Sequence, residues 1–241
     1  MRTSTTLPEQ QIIELNQVRF AWPKQAPLLD IEAFAVRRGE RVFLSGPSGS
    51  GKSTFLNLLG GVVRPRSGTV RILGTDASAL SGRRMDAFRA DHIGFVFQMF
   101  NLVPYLSVLE NVMLPCQFSK SRANSAVSRS GSLRADAQRL LDALELPGAI
   151  VNGRNVNAMS IGQQQRVAVA RALIGAPEIV IADEPTSALD EDTRERFIEL
   201  LFCECEARGT TLLLVSHDRR LGKLFDSEVS LLEINRASTT Q

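Results

Sequence analysis

Gly46-Pro-Ser-Gly-Ser-Gly-Lys-Ser53 fits the pattern G-x-x-x-x-G-K-[ST]. Arg41-Val-Phe-Leu44 before it reads as a short apolar strand. After it, Phe55, Leu58, Leu59 and Val62 fall at i, i+3, i+4 and i+7, the stripe of a helix packed on a sheet. A strand, a glycine-rich turn and a helix are the context in which this spacing makes a phosphate cradle. The glycines let backbone N–H groups curl around phosphate oxygens because no side chains obstruct them. The helix start points its positive end at the anion. The expected phosphate contacts are Gly46, Pro47, Ser48, Gly49, Ser50, Gly51, Lys52, Ser53 and Thr54. Lys52 adds a positive charge at the β and γ phosphates, and the Ser53 hydroxyl is a hard oxygen suited to Mg²⁺. The alternative is a chance glycine turn; the length of the pattern and its flanks tell against it.

Further along, Glu178-Ile-Val-Ile-Ala182 is an unbroken apolar run between Pro177 and Asp183, as expected of a strand buried on both faces. Thr210-Thr-Leu-Leu-Leu-Val215 reads the same way. Before it, a helix with Phe197, Leu200 and Leu201 on one face ends near Gly209. Strands spaced by helices imply an α/β fold with a mainly parallel sheet covered on both sides. Asp183, at the end of its strand, is placed to hold Mg²⁺. Glu184 follows at the sheet edge where open α/β folds bind ligands, placed to orient or deprotonate an attacking water. Without the cradle, two solvated carboxylates at a strand end would be the simpler reading.

The middle of the chain carries little strand signal. The expected layout is one domain over 12–240, with a sheet core from 12–100 and 159–235. A helical subdomain is inserted at about 101–158, and 1–11 form a tail. Leu133, Ala137, Leu140, Leu141 and Leu144 trace a helix stripe. Ser119 to Arg134, rich in Ser and Arg and free of acidic residues, is expected to be a solvated loop, with docking or regulation as the alternative.

The chain has 241 residues, 44% of them apolar, enough for a sizeable core. Its net charge of +2 points to no particular partner, and no basic block marks a nucleic-acid surface. No apolar run approaches the ~18 residues needed to span a bilayer. Met1 to Gln10 is polar and lacks an apolar secretory core. The expectation is a soluble, cytosolic chain that reaches a membrane only through a partner. Three cysteines, Cys116, Cys203 and Cys205, are read as reduced thiols rather than a disulfide framework. A metal pair at Cys203 and Cys205 lacks companions to complete a ligand set.

The class is narrowed by Met159-Ser-Ile-Gly-Gln-Gln-Gln-Arg166. Ser160 and Gln163 are spaced as a capping box at a helix start. That helix would stop at Gly175, with Pro177 beyond. The segment resembles the LSGGQ signature of ABC ATPases, and the resemblance runs from about Ile12 to Asn235. It implies a P-loop NTPase fold with an inserted helical subdomain, ATP hydrolysis with Mg²⁺, and a pair of subunits that sandwich two ATP molecules. Ser160, Gly162 and Gln163 would then face the γ-phosphate held by the second copy. Gln98, in Phe95-Val-Phe-Gln98, matches the loop whose glutamine reaches Mg²⁺ and water and couples to a membrane partner. Ser187-Ala-Leu-Asp190 matches the segment that crosses the dimer interface. His217 matches the histidine that contacts the γ-phosphate; a lone histidine at a strand end would otherwise be structural. Trp22 sits where the family places an aromatic that stacks on adenine, with core packing as the alternative. His92 has no such support and is expected at the surface. Met159 and Ile161 depart from the usual leucine and first glycine of the signature, so the Ile161 side chain must point away from the phosphates.

Phe97-Gln-Met-Phe-Asn-Leu-Val-Pro-Tyr-Leu-Ser-Val-Leu-Glu-Asn-Val112 and Ile181-Ala-Asp-Glu-Pro-Thr-Ser-Ala-Leu-Asp190 resemble the lipoprotein-release and macrolide-export branch. That resemblance implies an ATPase subunit powering export or extraction of a lipid, lipoprotein or drug-like cargo through a separate integral membrane permease. An envelope adaptor is a further candidate partner. The location implied is peripheral, on the cytoplasmic side of the inner membrane, through the permease. The alternative is the ATPase of a cell-division complex that signals to wall hydrolases and carries nothing. ABC proteins acting on DNA or ribosomes usually carry a long coiled-coil insertion or two ATPase units, and neither is visible here.

Overall fold

A computed structural model describes residues 10–151, 155–186, 189 and 191–239. The chain begins with β1 (Gln11–Phe20), β2 (Leu29–Arg37), β3 (Arg41–Ser45) and α1 (Lys52–Leu59). It continues through β4 (Ser67–Ile72), β5 (Thr75–Asp76), α2 (Gly82–His92) and β6 (Ile93–Val96). A helical stretch follows: α3 (Val108–Met113), α4 (Pro115–Phe118), α5 (Lys120–Ser130), α6 (Leu133–Ala143) and α7 (Gly148–Val151). The last part holds α8 (Ile161–Leu173), β7 (Ile179–Asp183), α9 (Glu191–Arg208), β8 (Thr211–Val215), β9 (Ser227–Ser230) and α10 (Leu231–Ile234). No helix among the described residues is long and apolar enough to cross a membrane.

The central sheet is parallel, with strand order β6-β7-β8-β3-β9. Side chains alternate across a strand, so its two faces can be read off the buried residues. Phe43, Val180, Ala182, Leu212 and Leu214 point to one side, into a core shared with α3, α6, α8 and α9. Val42, Leu44, Ile179, Ile181, Leu213 and Val215 point to the other, into a core shared with α1. This is why these strands carry unbroken apolar runs, and it meets the α/β expectation. A second sheet, antiparallel with order β2-β1-β4-β5, closes over α1. Its strands half-alternate, with Leu15, Val18 and Phe20 inside and Glu14 and Arg19 less buried or out. Alternation of this kind is a weaker sequence signal than an unbroken apolar run, so the sequence discloses this sheet less clearly than the parallel one.

Three local expectations are corrected. Ser119 to Arg134 is not a loop: it holds α5, capped by the Ser119 hydroxyl on the Arg122 N–H and ended by Gly131 at φ 78. Only Arg122 and Ala126 of that helix are buried, so no apolar stripe announces it. The stripe after the cradle ends at Leu59, and Val62 lies beyond the helix, exposed. His92 is half-buried and paired with Glu178, its Nδ1 3.0 Å from Oε2. Cys203 and Cys205 are free thiols on α9, and burial pushes the Cys205 thiol up to about 12.

Arg122 shows what holds the helical stretch to the sheet. Its guanidinium reaches the C-terminal end of α8, donating to the carbonyls of Ala172 (2.8 Å) and Ile174 (2.8 and 2.6 Å). These are carbonyls a helix end leaves without partners, at the negative pole of its dipole. Burial lowers the Arg122 pKa to about 10, so it stays charged at neutral pH. A second buried tie joins α6 to α9: Asp136 accepts from Arg208, and Glu204 accepts from Arg139 and Arg208.

Arg122→Met keeps the stem but strands those carbonyls. Unpaired buried acceptors cost about 1–3 kcal/mol each, less the relief of desolvating a charge. The expected loss is about 2–3 kcal/mol, a Tm drop of roughly 4–12 °C for a chain this size. Arg129→Ala, on the exposed side of the same helix, is expected to change stability by no more than about 0.5 kcal/mol. Thermal unfolding followed by circular dichroism checks both.

Candidate functional site

The loop 46–51 leaves β3 at the carboxyl edge of the parallel sheet and feeds α1. Gly49 and Gly51 adopt left-handed backbone, at φ 80 and 94, and Gly51 is the N-cap of α1. Side chains rarely adopt this conformation, which turns successive N–H groups toward the concave side of the loop. Lys52 folds back across the loop, its Nζ donating to the carbonyls of Gly46 (2.8 Å) and Pro47 (2.9 Å). The buried Ser50 hydroxyl has no partner in the protein. An orphaned hydroxyl inside an anion-shaped turn fits a phosphate-bearing ligand.

The parallel register assembles the second part. Asp183 lies opposite Val215 in the β7–β8 ladder. The residues that follow each strand, Glu184 and His217, therefore emerge side by side. His217 Nδ1 is 2.8 Å from Glu184 Oε2. The Glu184 carboxylate is mostly buried at 11% exposure, whereas the imidazole is 68% exposed. Glu184 sits at φ 49 and donates its N–H to the Val215 carbonyl at 2.9 Å. A non-glycine residue held left-handed costs of order 1–3 kcal/mol, and such strain gathers at working sites.

Asp183 completes the centre. Its Oδ2 accepts from the Ser53 hydroxyl at 2.8 Å. Burial raises its pKa above the usual carboxylate value, the neighbouring Glu184 charge pushes the same way, and Ser53 and Lys52 oppose the rise. A hydroxyl and a carboxylate in contact are hard oxygen donors that suit Mg²⁺, which takes few protein ligands and shares the rest with phosphate and water. A cation there would offset the burial that disfavours the Asp183 anion.

The helix start of α8 stands apart. The Ser160 hydroxyl accepts from the Gln163 N–H at 3.3 Å, and Gln163 Oε1 accepts from the Ser160 N–H at 3.0 Å. The capping box read from the sequence is therefore present. Ser160 is exposed, and Ile161 is 57% exposed with its side chain directed outward. Among the described residues, Ser160, Gly162 and Gln163 make no hydrogen bond to the cradle. Gln98 is exposed just past β6, likewise without a hydrogen bond to the cradle. Trp22 is partly exposed and meets Phe20 edge-on at 5.1 Å between ring centroids. Of the segment Ser187 to Asp190, only Leu189 is among the described residues.

The structure adds residues the sequence did not flag. Arg194, in the first turns of α9, donates to the Leu189 carbonyl at 2.8 Å and pairs with Asp218, next to His217. It ties the two segments that leave the sheet edge. Arg220 also grips Asp218 and, with Arg194, holds its carboxyl down at about 2. Arg171 donates to the carbonyls of Phe100 and Asn101. None of these arginines belongs to a local motif, and no spacing marks them.

Comparison with known proteins agrees with this geometry. The family profile described as ABC transporter matches residues 29–187. The chain is 42% identical over 224 residues to the lipoprotein-releasing system ATP-binding protein LolD of Anaeromyxobacter dehalogenans, covering 92% of this chain and 90% of that one. It is 39% identical over 208 residues to the macrolide export ATP-binding/permease protein MacB of Bradyrhizobium diazoefficiens, covering 86% of this chain and 30% of that one. Among solved structures, the fold matches a dimeric post-hydrolysis state of the ATP-binding cassette MJ0796, bound to ADP and Pi. The TM-score is 0.79 at 38% identity, over 90% of this chain and 93% of that chain. With a phosphate cradle, a strand-end Asp-Glu pair and a capped second helix start in one chain, and a profile that matches most of it, this protein belongs to the ABC transporter family, as an ATP-binding subunit.

Proposed function

We propose that this chain works as a face-to-face pair with a second copy of itself, and that the pair drives export or extraction through a separate membrane permease. One observation carries the reading: Ser160 and its helix start are exposed and make no hydrogen bond to their own cradle. A second anion-binding helix end that does not serve its own site suits the γ-phosphate on another copy. The dimeric state of the similar MJ0796 cassette supports this.

In this reading Gly46 to Thr54 hold the phosphates of ATP, and Trp22 stacks on adenine. Ser53 and Asp183 would hold Mg²⁺, with Gln98 as a further ligand, and the bound ion would supply positive charge against the phosphates. Lys52 leaves its loop carbonyls for the phosphates. Glu184, steadied by His217, accepts a proton from the attacking water, and His217 contacts the γ-phosphate from its exposed side. Closure of the pair is driven by contacts that exist only when both ATP molecules are present, and hydrolysis removes them.

In this reading the permease docks beside Gln98. A cleft of about 560 Å³ between α2, β6 and the helical stretch of 101–158 is lined by Phe97, Leu114, Pro115 and Phe118. Phe118 in its wall is 73% exposed, and Met99, next to Gln98 in the chain, is 82% exposed. An exposed apolar patch of this kind suits a partner. It would hold the chain at the cytoplasmic side of the membrane. The similarity to the lipoprotein-releasing LolD and the macrolide-exporting MacB supports a lipid, lipoprotein or drug-like cargo; an envelope adaptor is a further partner in this proposal.

Glu184→Gln is expected to lower ATP turnover roughly 10²–10⁴-fold while ATP still binds; normal turnover in a phosphate-release assay would remove Glu184 as the base. In that background, added ATP is expected to convert the chain to dimers on a sizing column. Ser160→Ala is expected to abolish this conversion while lowering stability by only about 1 kcal/mol, the usual loss for a cap. Dimers that form equally well without Ser160 would overturn the paired-site reading. A tagged Glu184→Gln chain, isolated from its native membranes with ATP, is expected to bring down a permease with a large external domain. Recovery of wall hydrolases or division proteins instead would overturn the export reading.

A further inference from the structure

α8 connects two parts of the proposed machinery that lie at its opposite ends. Ser160 caps its start, and Arg171 lies in its last turn. Arg171 is 9% exposed, and its guanidinium reaches back to the chain just after Gln98. Its Nη1 donates to the Asn101 carbonyl at 2.6 Å and its Nη2 to the Phe100 carbonyl at 2.5 Å. Burial lowers its pKa.

The turn it grips is strained. Phe100 and Asn101 are consecutive non-glycine residues in left-handed backbone, at φ 58 and 47. Their N–H groups bond back to the Phe97 and Met99 carbonyls, at 2.8 and 2.6 Å, which closes the chain tightly behind Gln98. Such a conformation persists only where its surroundings over-determine it. A planar fork that takes two adjacent carbonyls at once supplies that constraint, and a lysine cannot reproduce it. The end of α8 is itself immobilised. A Cβ on Gly94 in β6 would lie 2.2 Å from the Ala172 carbonyl, so the strand leading to Gln98 meets the helix backbone to backbone. Arg122 holds the same end from α5.

We infer that Arg171 is a positioning residue for ATP hydrolysis. Its fork keeps the Phe100–Asn101 turn left-handed, sets where Gln98 stands, and ties Gln98 to the helix that carries Ser160. This inference rests on the roles proposed above for Gln98 and Ser160. It makes the Gln98 loop of one cradle and the helix start serving the other cradle parts of one rigid body.

The test uses the full-length chain, with kcat and KM for ATP measured alongside thermal unfolding. Arg171→Lys keeps the charge and loses the fork. Its kcat is expected to fall roughly tenfold to a hundredfold, the scale for a displaced group at a reacting centre, with KM little changed. Adding Asn101→Gly, which removes the left-handed penalty, is expected to restore part of the loss. Asn101→Val leaves Arg171 intact and changes a side chain that is exposed, so it acts through backbone conformation; the same fall in kcat is expected. A wild-type kcat in Asn101→Val overturns the inference even if Arg171→Lys fails to fold. So does a folded Arg171→Lys with wild-type kcat, or one that Asn101→Gly does not improve. Gln98→Ala separates the two levels: wild-type turnover there overturns the reading of Gln98 itself, whereas impaired turnover with normal Arg171→Lys and Asn101→Val overturns only the role of Arg171.

Discussion

A parallel strand covered by helices on both faces has no room for charge except at its ends. β3, β7 and β8 are buried along almost their whole length. Every polar group of the site therefore collects at one edge, where the strands stop and the loops begin. Because β7 and β8 are neighbours in register, Asp183 lies opposite Val215 and Glu184 meets His217 without any long-range adjustment. Because β3 lies on the other side of β8, its loop brings Lys52 and Ser53 to the same edge. The chemistry is a consequence of strand order.

Holding that edge in shape falls largely to arginine. Arg122, Arg171 and Arg194 each donate to backbone carbonyls at a helix end, in a left-handed turn or in the segment after Glu184. These are acceptors that regular structure leaves without partners. Arginine suits them because its guanidinium is planar, weakly hydrated and remains charged when buried. The result is a frame in which segments without regular structure are fixed by charge-assisted bonds, while the strands beneath them are fixed by apolar packing. Strain at Glu184, Phe100 and Asn101 sits within reach of these ties.

This division explains which features could be read in advance. The cradle, the strand-end carboxylates and the Ser160–Gln163 cap depend on neighbours within a few residues, so their spacing discloses them. The parallel strands announce themselves by unbroken apolar runs. The antiparallel sheet of β1, β2 and β4 carries a weaker alternating signal and escaped. The arginine ties span intervals such as Arg122 to Ile174 and Arg171 to Asn101, which no periodicity encodes. The α5 helix was hidden for the same reason: its key buried residue is an arginine whose partner lies on another helix. Pairing of His92 with Glu178 is likewise set by β6 and α2 meeting β7, not by anything near His92 in the chain.

Ile161, where the family signature has glycine, can be judged on the same terms. Donors at a helix start come from the backbone, and a capping box consumes only some of them. Here the N–H of Gln163 goes to Ser160, and that of Ser160 goes to Gln163. The N–H groups of Ile161 and Gly162, in the first turn, have no intrahelical acceptor and remain available to an anion. A side chain at position 161 interferes only if it lies across those donors, and Ile161 is directed outward with over half its surface exposed. At the next position, a Cβ on Gly162 would meet the Leu189 side chain at 3.6 Å, an ordinary contact. Glycine is therefore not demanded at either place by crowding within the subunit. In the proposed pair, what an isoleucine changes is the surface that would face the second copy: an exposed apolar group beside the helix start, which closure would bury.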